Sequence, residues 1–150
     1  MDIVTIFVPG KAQAKQRPRV CRNGFSYTPG ETLNYEKYVK WLYSEKSKVF
    51  FDCAVKLDVY VFLAPPKSVS RKVYQQMIAG VIKPTKKPDW DNLGKSISDS
   101  LNLISYKDDS CVTCGKVMKR YEEKECLVFK LQEDFEEVPV DILSLIKNVA

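Results

Sequence analysis

Asp89 and Asp91 lie in the run Lys-Lys-Pro-Asp-Trp-Asp-Asn-Leu-Gly-Lys, residues 86–95, and Asp99, Asp108 and Asp109 follow. Lys83, Lys86, Lys87 and Lys95 surround the first pair, and Arg120 comes after the cluster. Carboxylates hold hard divalent cations through oxygen, and ammonium or guanidinium groups hold phosphates. Two carboxylates about 4 Å apart repel by about 4 kcal/mol at an effective dielectric of about 20. A divalent cation turns that repulsion into attraction. Acids gathered in a basic surround therefore point to metal-assisted chemistry on a polyanion.

The chain contains no histidine. A Ser-His-Asp triad, a Cys-His dyad and histidine-ligated zinc or haem iron are excluded. So is the usual general base near neutral pH. Hydrolysis here has to use carboxylate, lysine, cysteine, tyrosine or metal-bound water.

A chain of 150 residues with 45% hydrophobic and 29% charged residues is expected to form one domain, 1–150, that needs no disulfides to fold. The net charge of +5 permits nucleic-acid binding without demanding it. Its distribution says more. Residues 65–95 hold seven bases against two acids, whereas residues 122–141 hold eight acids against two bases. The basic excess surrounds the aspartate motif. The five cysteines, with no secretory leader ahead of them, predict a reduced, cytoplasmic protein. No run approaches about eighteen apolar residues, so no membrane span is expected.

These residues need a scaffold. Residues 2–8 are apolar and β-branched and predict a strand. Lys11–Arg22 predicts a basic loop or irregular strand containing Lys15-Gln-Arg-Pro-Arg19. Thr28 as cap, Pro29 in the first turn and Glu31 closing a capping box predict a helix to about Lys48, with Tyr35, Tyr38, Val39 and Leu42 on one face. Cys53–Leu63 alternates Val55, Leu57, Val59, Val61 and Leu63, the clearest strand pattern in the chain. Ser70 caps a short helix that closes at Gly80, and an extended basic loop runs from Lys83 to Pro88. A further helix is expected from Asp91 or Asn92, with Leu93, Ile97, Leu101 and Ile104 facing the core. Asp91, Lys95 and Asp99 share another of its faces. Cys111–Tyr121 and Leu127–Leu131 read as two strands, paired as a hairpin, and residues 140–149 as a terminal helix. The whole predicts an α+β domain, a mixed sheet packed with helices.

Each candidate residue also has a purely structural reading. Asp91 suits a helix cap. Asp89 and Asp91, two apart in an extended segment, would instead point to one side and reach one cation. Lys95 either meets a phosphate or pairs with Asp91. Asp108-Asp109 either shapes a turn or supplies a further ligand. Arg17 and Arg19 offer forked donors to phosphates, with Pro18 restraining the backbone. Cys111-Val-Thr-Cys114 lacks a second pair or a histidine, and strand alternation sends its two thiols to opposite faces, which argues against zinc. Most aromatics read as core; Trp90 differs because it sits between the two acids.

Pro88-Asp89-Trp-Asp91-Asn92-Leu93-Gly-Lys95, Asp99-Ser-Leu101-Asn102, Asp108-Asp109 and Lys119 together resemble the RusA family of Holliday-junction resolvases, and Lys15-Gln-Arg17-Pro18-Arg19 fits that family's N-terminal basic motif. The resemblance implies a RusA-like, homodimeric α+β endonuclease that cuts four-way DNA junctions with Mg²⁺, Mn²⁺ substituting. It implies Asp89, Asp91 and Asp109 as metal ligands and catalytic residues, with Lys95 as the catalytic lysine. Asp108 is a weaker candidate. Lys15, Arg17, Arg19, Lys86, Lys87 and Lys119 are the expected DNA contacts. No small-molecule cofactor and no membrane partner are implied. A non-catalytic DNA-binding module, or a nuclease of the same chemistry acting on flaps or forks, are the alternatives. The acidic stretch after Tyr121 matches no family motif.

Overall fold

β4, Val55–Leu63, carries the strongest alternating apolar pattern and takes an interior place in a four-stranded sheet ordered β1-β6-β4-β5. β1 is Ile3–Pro9, β5 is Val112–Tyr121 and β6 is Cys126–Glu133. β6 runs antiparallel to both β1 and β4, and β5 runs parallel to β4. This is the mixed sheet of a single compact α+β domain. The computed structural model describes residues 1–27 and 29–149.

β5 and β6 do not form the expected hairpin. β4 lies between them, and residues 122–125 cross over its end. There the Glu122 amide donates to the Leu63 carbonyl at 2.9 Å. Local sequence gives no hint of this, because the short link suits either arrangement. The apolar strand wins the central position because both of its neighbours bury it.

α1, Gly30–Lys46, packs on the inner face of the sheet with α3, Trp90–Ser100. Tyr35, Val39 and Leu42 are buried as expected, and Tyr43 joins them; Tyr38 is only partly buried and stacks on Trp41. Pro29 occupies the cap position rather than the first helical one, and the helix ends two residues early. The cap proposed for Thr28 lies outside the described residues. α2, Arg71–Ile78, starts where Ser70 Oγ accepts from the Val73 amide at 3.3 Å, and Gly80 closes it at φ +80°. The basic segment after β1 is irregular to residue 18 and then forms a two-stranded hairpin, β2 (Arg19–Val20) with β3 (Ser26–Tyr27).

Leu93, Ile97 and Leu101 are fully buried, and Ile104 packs at the edge of the same core. That apolar stripe fixes the rotation of α3 and so decides where its polar residues point. α4, Val140–Asn148, forms as expected, yet none of its residues is buried. Among the described residues, no helix is long and apolar enough to cross a membrane.

Candidate active site

α3 begins one residue earlier than its sequence suggests. Asp89, with φ −72° and ψ 142°, holds the cap position, and its carbonyl accepts from the Leu93 amide at 3.1 Å. Asp91 therefore lies inside the first turn, where its charge suits the positive end of the helix, and is not the cap. This also removes the extended i, i+2 geometry expected to aim both acids one way. Across a helical turn, residues two apart diverge by about 200°. Asp89 faces a large cleft, whereas Asp91 and Lys95 stand exposed along the helix. Asp91 and Lys95 form no ion pair.

The cleft encloses about 990 Å³. Lys11, Lys15, Arg17 and Arg19 form one wall; Lys86, Lys87 and Asp89 form another. The end of the sheet at Leu63 and Tyr121 closes it. Cations thus converge from two chain segments far apart in sequence, with the carboxylates of Asp89 and Glu125 among them. Arg17, Arg19, Lys86 and Lys87 are exposed and free to meet phosphates.

Lys15 and Lys119 are placed differently. The Lys15 ammonium pairs with Glu36 on α1 and with Asp99 on α3, the latter at 3.2 Å. Its backbone amide donates to the Asn92 carbonyl at 2.9 Å. Burial opposes its charge, and the two carboxylates more than offset it, leaving its pKa above the ordinary value. Lys15 thus fastens the basic arm to both helices. Lys119 Nζ donates to the carbonyls of Lys86 and Pro88 at 2.7 and 2.8 Å. It ties the basic loop to β5 just before Asp89. Both lysines expected to contact DNA spend their ammonium protons inside the chain.

Asp109 opens a single 3₁₀ turn, Asp109–Cys111, and its carboxyl lies beside Asp108 and Asp99. Ten residues of helix, about 15 Å, separate the level of Asp89 from that of Asp99. Asp109 is crowded by acids. The neighbouring Asp108 carboxyl is the largest influence, followed by desolvation and then Asp99, and its pKa rises to about 6. Asp108 moves the other way, below the ordinary range, because its hydrogen-bonded partner carries the proton. Asp109 also lines a smaller, mostly apolar cavity of about 300 Å³ with Trp90, Gly94 and Ser98.

Among the described residues, no three Asp, Glu, Cys or His side chains converge closely enough to hold a metal ion. The oxygen donors of Asp89, Asp91 and Asp109 suit a hard cation chemically.

Some positions carry roles that the sequence did not disclose. Trp90 donates its indole N–H to the Val117 carbonyl at 2.8 Å and leaves its ring 59% exposed beside Asp89. At Gly94 a Cβ would lie 3.0 Å from Val117 Cγ2, so glycine lets α3 approach the edge strand closely. Glu36 enters through Lys15; only its spacing on α1 could have marked it. Arg120, grouped by sequence with the basic surround, alternates onto the outer face of the sheet, opposite Lys119.

A family model described as endodeoxyribonuclease RusA matches residues 9–131. The chain is also similar to a Bacillus subtilis (strain 168) protein known as "uncharacterized protein YqaN", at 37% identity over 130 residues, covering 83% of this chain and 92% of that protein. The basic arm, the cleft, Asp89, Asp91, Lys95, Asp109 and Lys119 all fall inside the family match. The chain belongs to the RusA endodeoxyribonuclease family.

Proposed function

We propose that this protein is a homodimeric endonuclease that resolves four-way DNA junctions by paired, symmetric phosphodiester cleavage. The observation that carries the reading is the cleft, where basic side chains from residues 11–19 and 86–87 converge on Asp89. Phosphates bound along it are positioned by exposed cations, and such binding weakens as salt rises. Arg17 and Arg19 suit bidentate contact with phosphate, and Lys86 and Lys87 suit point contacts. Lys15 and Lys119 act as positioning residues that hold the arm and the loop in place. Lys95, exposed one helical turn from Asp91, neutralises charge that grows on the cleaved phosphate.

RusA nucleases are generally dependent on divalent metal, and Mg²⁺ is the proposed cofactor, with Mn²⁺ able to substitute. Asp89, Asp91 and Asp109 are its proposed ligands. A two-fold dimer suits a junction because its two cuts are symmetry-related. Products with 5′-phosphate and 3′-hydroxyl ends are expected.

The test is cleavage of a labelled synthetic four-way junction beside linear duplex, fork and flap, with Mg²⁺ or with EDTA. Paired, metal-dependent cuts confined to the junction support the proposal. Equal cutting of forks and flaps would retain the nuclease and remove the junction preference. Tight binding without cutting would make this a binding module.

A further inference from the structure

α1 and α3 cover one face of the sheet. On the other face, Phe7, Val128, Tyr60 and Met118 stand side by side in register across all four strands. Phe7 is 58% exposed. α4 presents the complementary problem. Ile142, Leu145, Ile146 and Val149 recur at helical spacing, Leu145 and Ile146 are 62% and 64% exposed, and no residue of the helix is buried. One chain thus carries two apolar surfaces, a strip of sheet and a helical stripe, and neither covers the other. Both are repeated in every copy.

Charge matches them further. The tail bears Asp134, Glu136, Glu137 and Asp141, whereas the outer sheet face bears Lys56, Lys116, Arg120 and Lys130 around Asp58. One such contact already exists, because Glu136 pairs with Lys56. The start of the tail is anchored. The Asp134 amide donates to the Ala54 carbonyl at 2.9 Å, and Thr113 Oγ1 donates to Asp134 Oδ2 at 2.5 Å. From that anchor the chain carries α4 clear of its own sheet. The tail also lies beyond residue 131, where the family match ends.

We infer that α4 and the outer sheet face form a reciprocal contact between two copies of this chain, each copy laying its α4 across the apolar strip of the other. The occupant is a second copy because a two-fold exchange satisfies both surfaces, and both charge sets, at once. A standard interface buries about 800 Å² per partner, and each copy here contributes a nine-residue helix, about 13 Å long, together with a four-strand strip. This inference rests on the homodimer reading proposed above and adds its surface.

The experiment is sedimentation of the full chain in three forms and one mixture. These are the wild type, an α4 variant (Leu145→Glu with Ile146→Glu), a sheet variant (Phe7→Glu with Met118→Glu), and an equimolar mix of the two variants. The wild type should be a dimer, and each variant alone should dimerise at least tenfold more weakly. The mix should recover dimer, because the mixed pair retains one intact helix-on-sheet contact. Should the sheet variant fail to fold by circular dichroism, Lys116→Glu with Lys130→Glu replaces it. Variants that dimerise like the wild type overturn the inference and leave the homodimer reading intact. Weakened variants whose mixture stays monomeric also overturn it, because the helix would then serve its own sheet. A monomeric wild type removes the homodimer reading itself.

Discussion

Replacing Asp109 by asparagine should stabilise the fold while abolishing cleavage. Asp109 is held among Asp108 and Asp99, and its pKa is lifted from the ordinary 3.8 to about 6. The folded state therefore binds a proton more tightly than the unfolded chain does. Its stabilising contribution is complete below about pH 4 and is lost as pH rises through about 6. A displacement of that size corresponds to about 3 kcal/mol as a ceiling. Two facts reduce it. The carboxyl is partly exposed to solvent, which screens the repulsion, and Asp108 is shifted in the opposite direction, so the pair loses less than Asp109 alone. About 1 kcal/mol at pH 7.5 is the expected gain for Asp109→Asn, or about 2–4 °C in Tm for a chain of this size. Thermal unfolding followed by circular dichroism between pH 4 and 8 measures it. The difference between variant and wild type should be near zero at pH 4 and reach its full value above about pH 7. A variant less stable than wild type at pH 7.5, or a difference that does not change with pH, would refute the electrostatic account. Loss of cleavage in the stabilised variant separates a functional acid from a merely structural one.

Asp89→Asn should leave stability within about 0.5 kcal/mol of wild type, because the side chain is exposed and makes no capping hydrogen bond; junction cleavage should disappear while gel-shift binding persists. Lys119→Met removes both carbonyl contacts to the basic loop, so hydrogen exchange at residues 85–90 should quicken and KM should rise more than kcat falls. Lys15→Ala strips Glu36 and Asp99 of their shared partner and should cost about 1–3 kcal/mol in urea unfolding; an unchanged midpoint would contradict its role as the fastener of the basic arm. Gly94→Ala places a methyl 3.0 Å from Val117 Cγ2 and should destabilise by about 1 kcal/mol, with partial recovery when Val117→Ala is added.

Much of the scaffold was legible because it depends on local periodicity. The alternation in β4 and the 3.6-residue spacing of Leu93, Ile97 and Leu101 each had one packing solution, and all of these side chains are buried. The cap at Ser70 and the left-handed Gly80 were legible for the same reason, since both satisfy groups within a few residues. The acid motif with its basic surround also pointed to the RusA family before any geometry was known. The start of α3 was misplaced by one residue, and that small error mattered. It exchanged the roles of Asp89 and Asp91 and removed their shared direction.

The sequence by itself determined which elements form, which of their faces are apolar, and which chemistry the site residues can perform, because these follow from nearest neighbours along the chain. Tertiary structure alone decided that β4 separates β5 from β6 and that Lys15 and Lys119 turn inward to carboxylates and carbonyls. It also decided that Asp109 comes to lie beside Asp99, and that α4 lies free of its own core. Each depends on contacts between residues tens of positions apart. Strand order and helix rotation create those contacts, and no local pattern encodes either one.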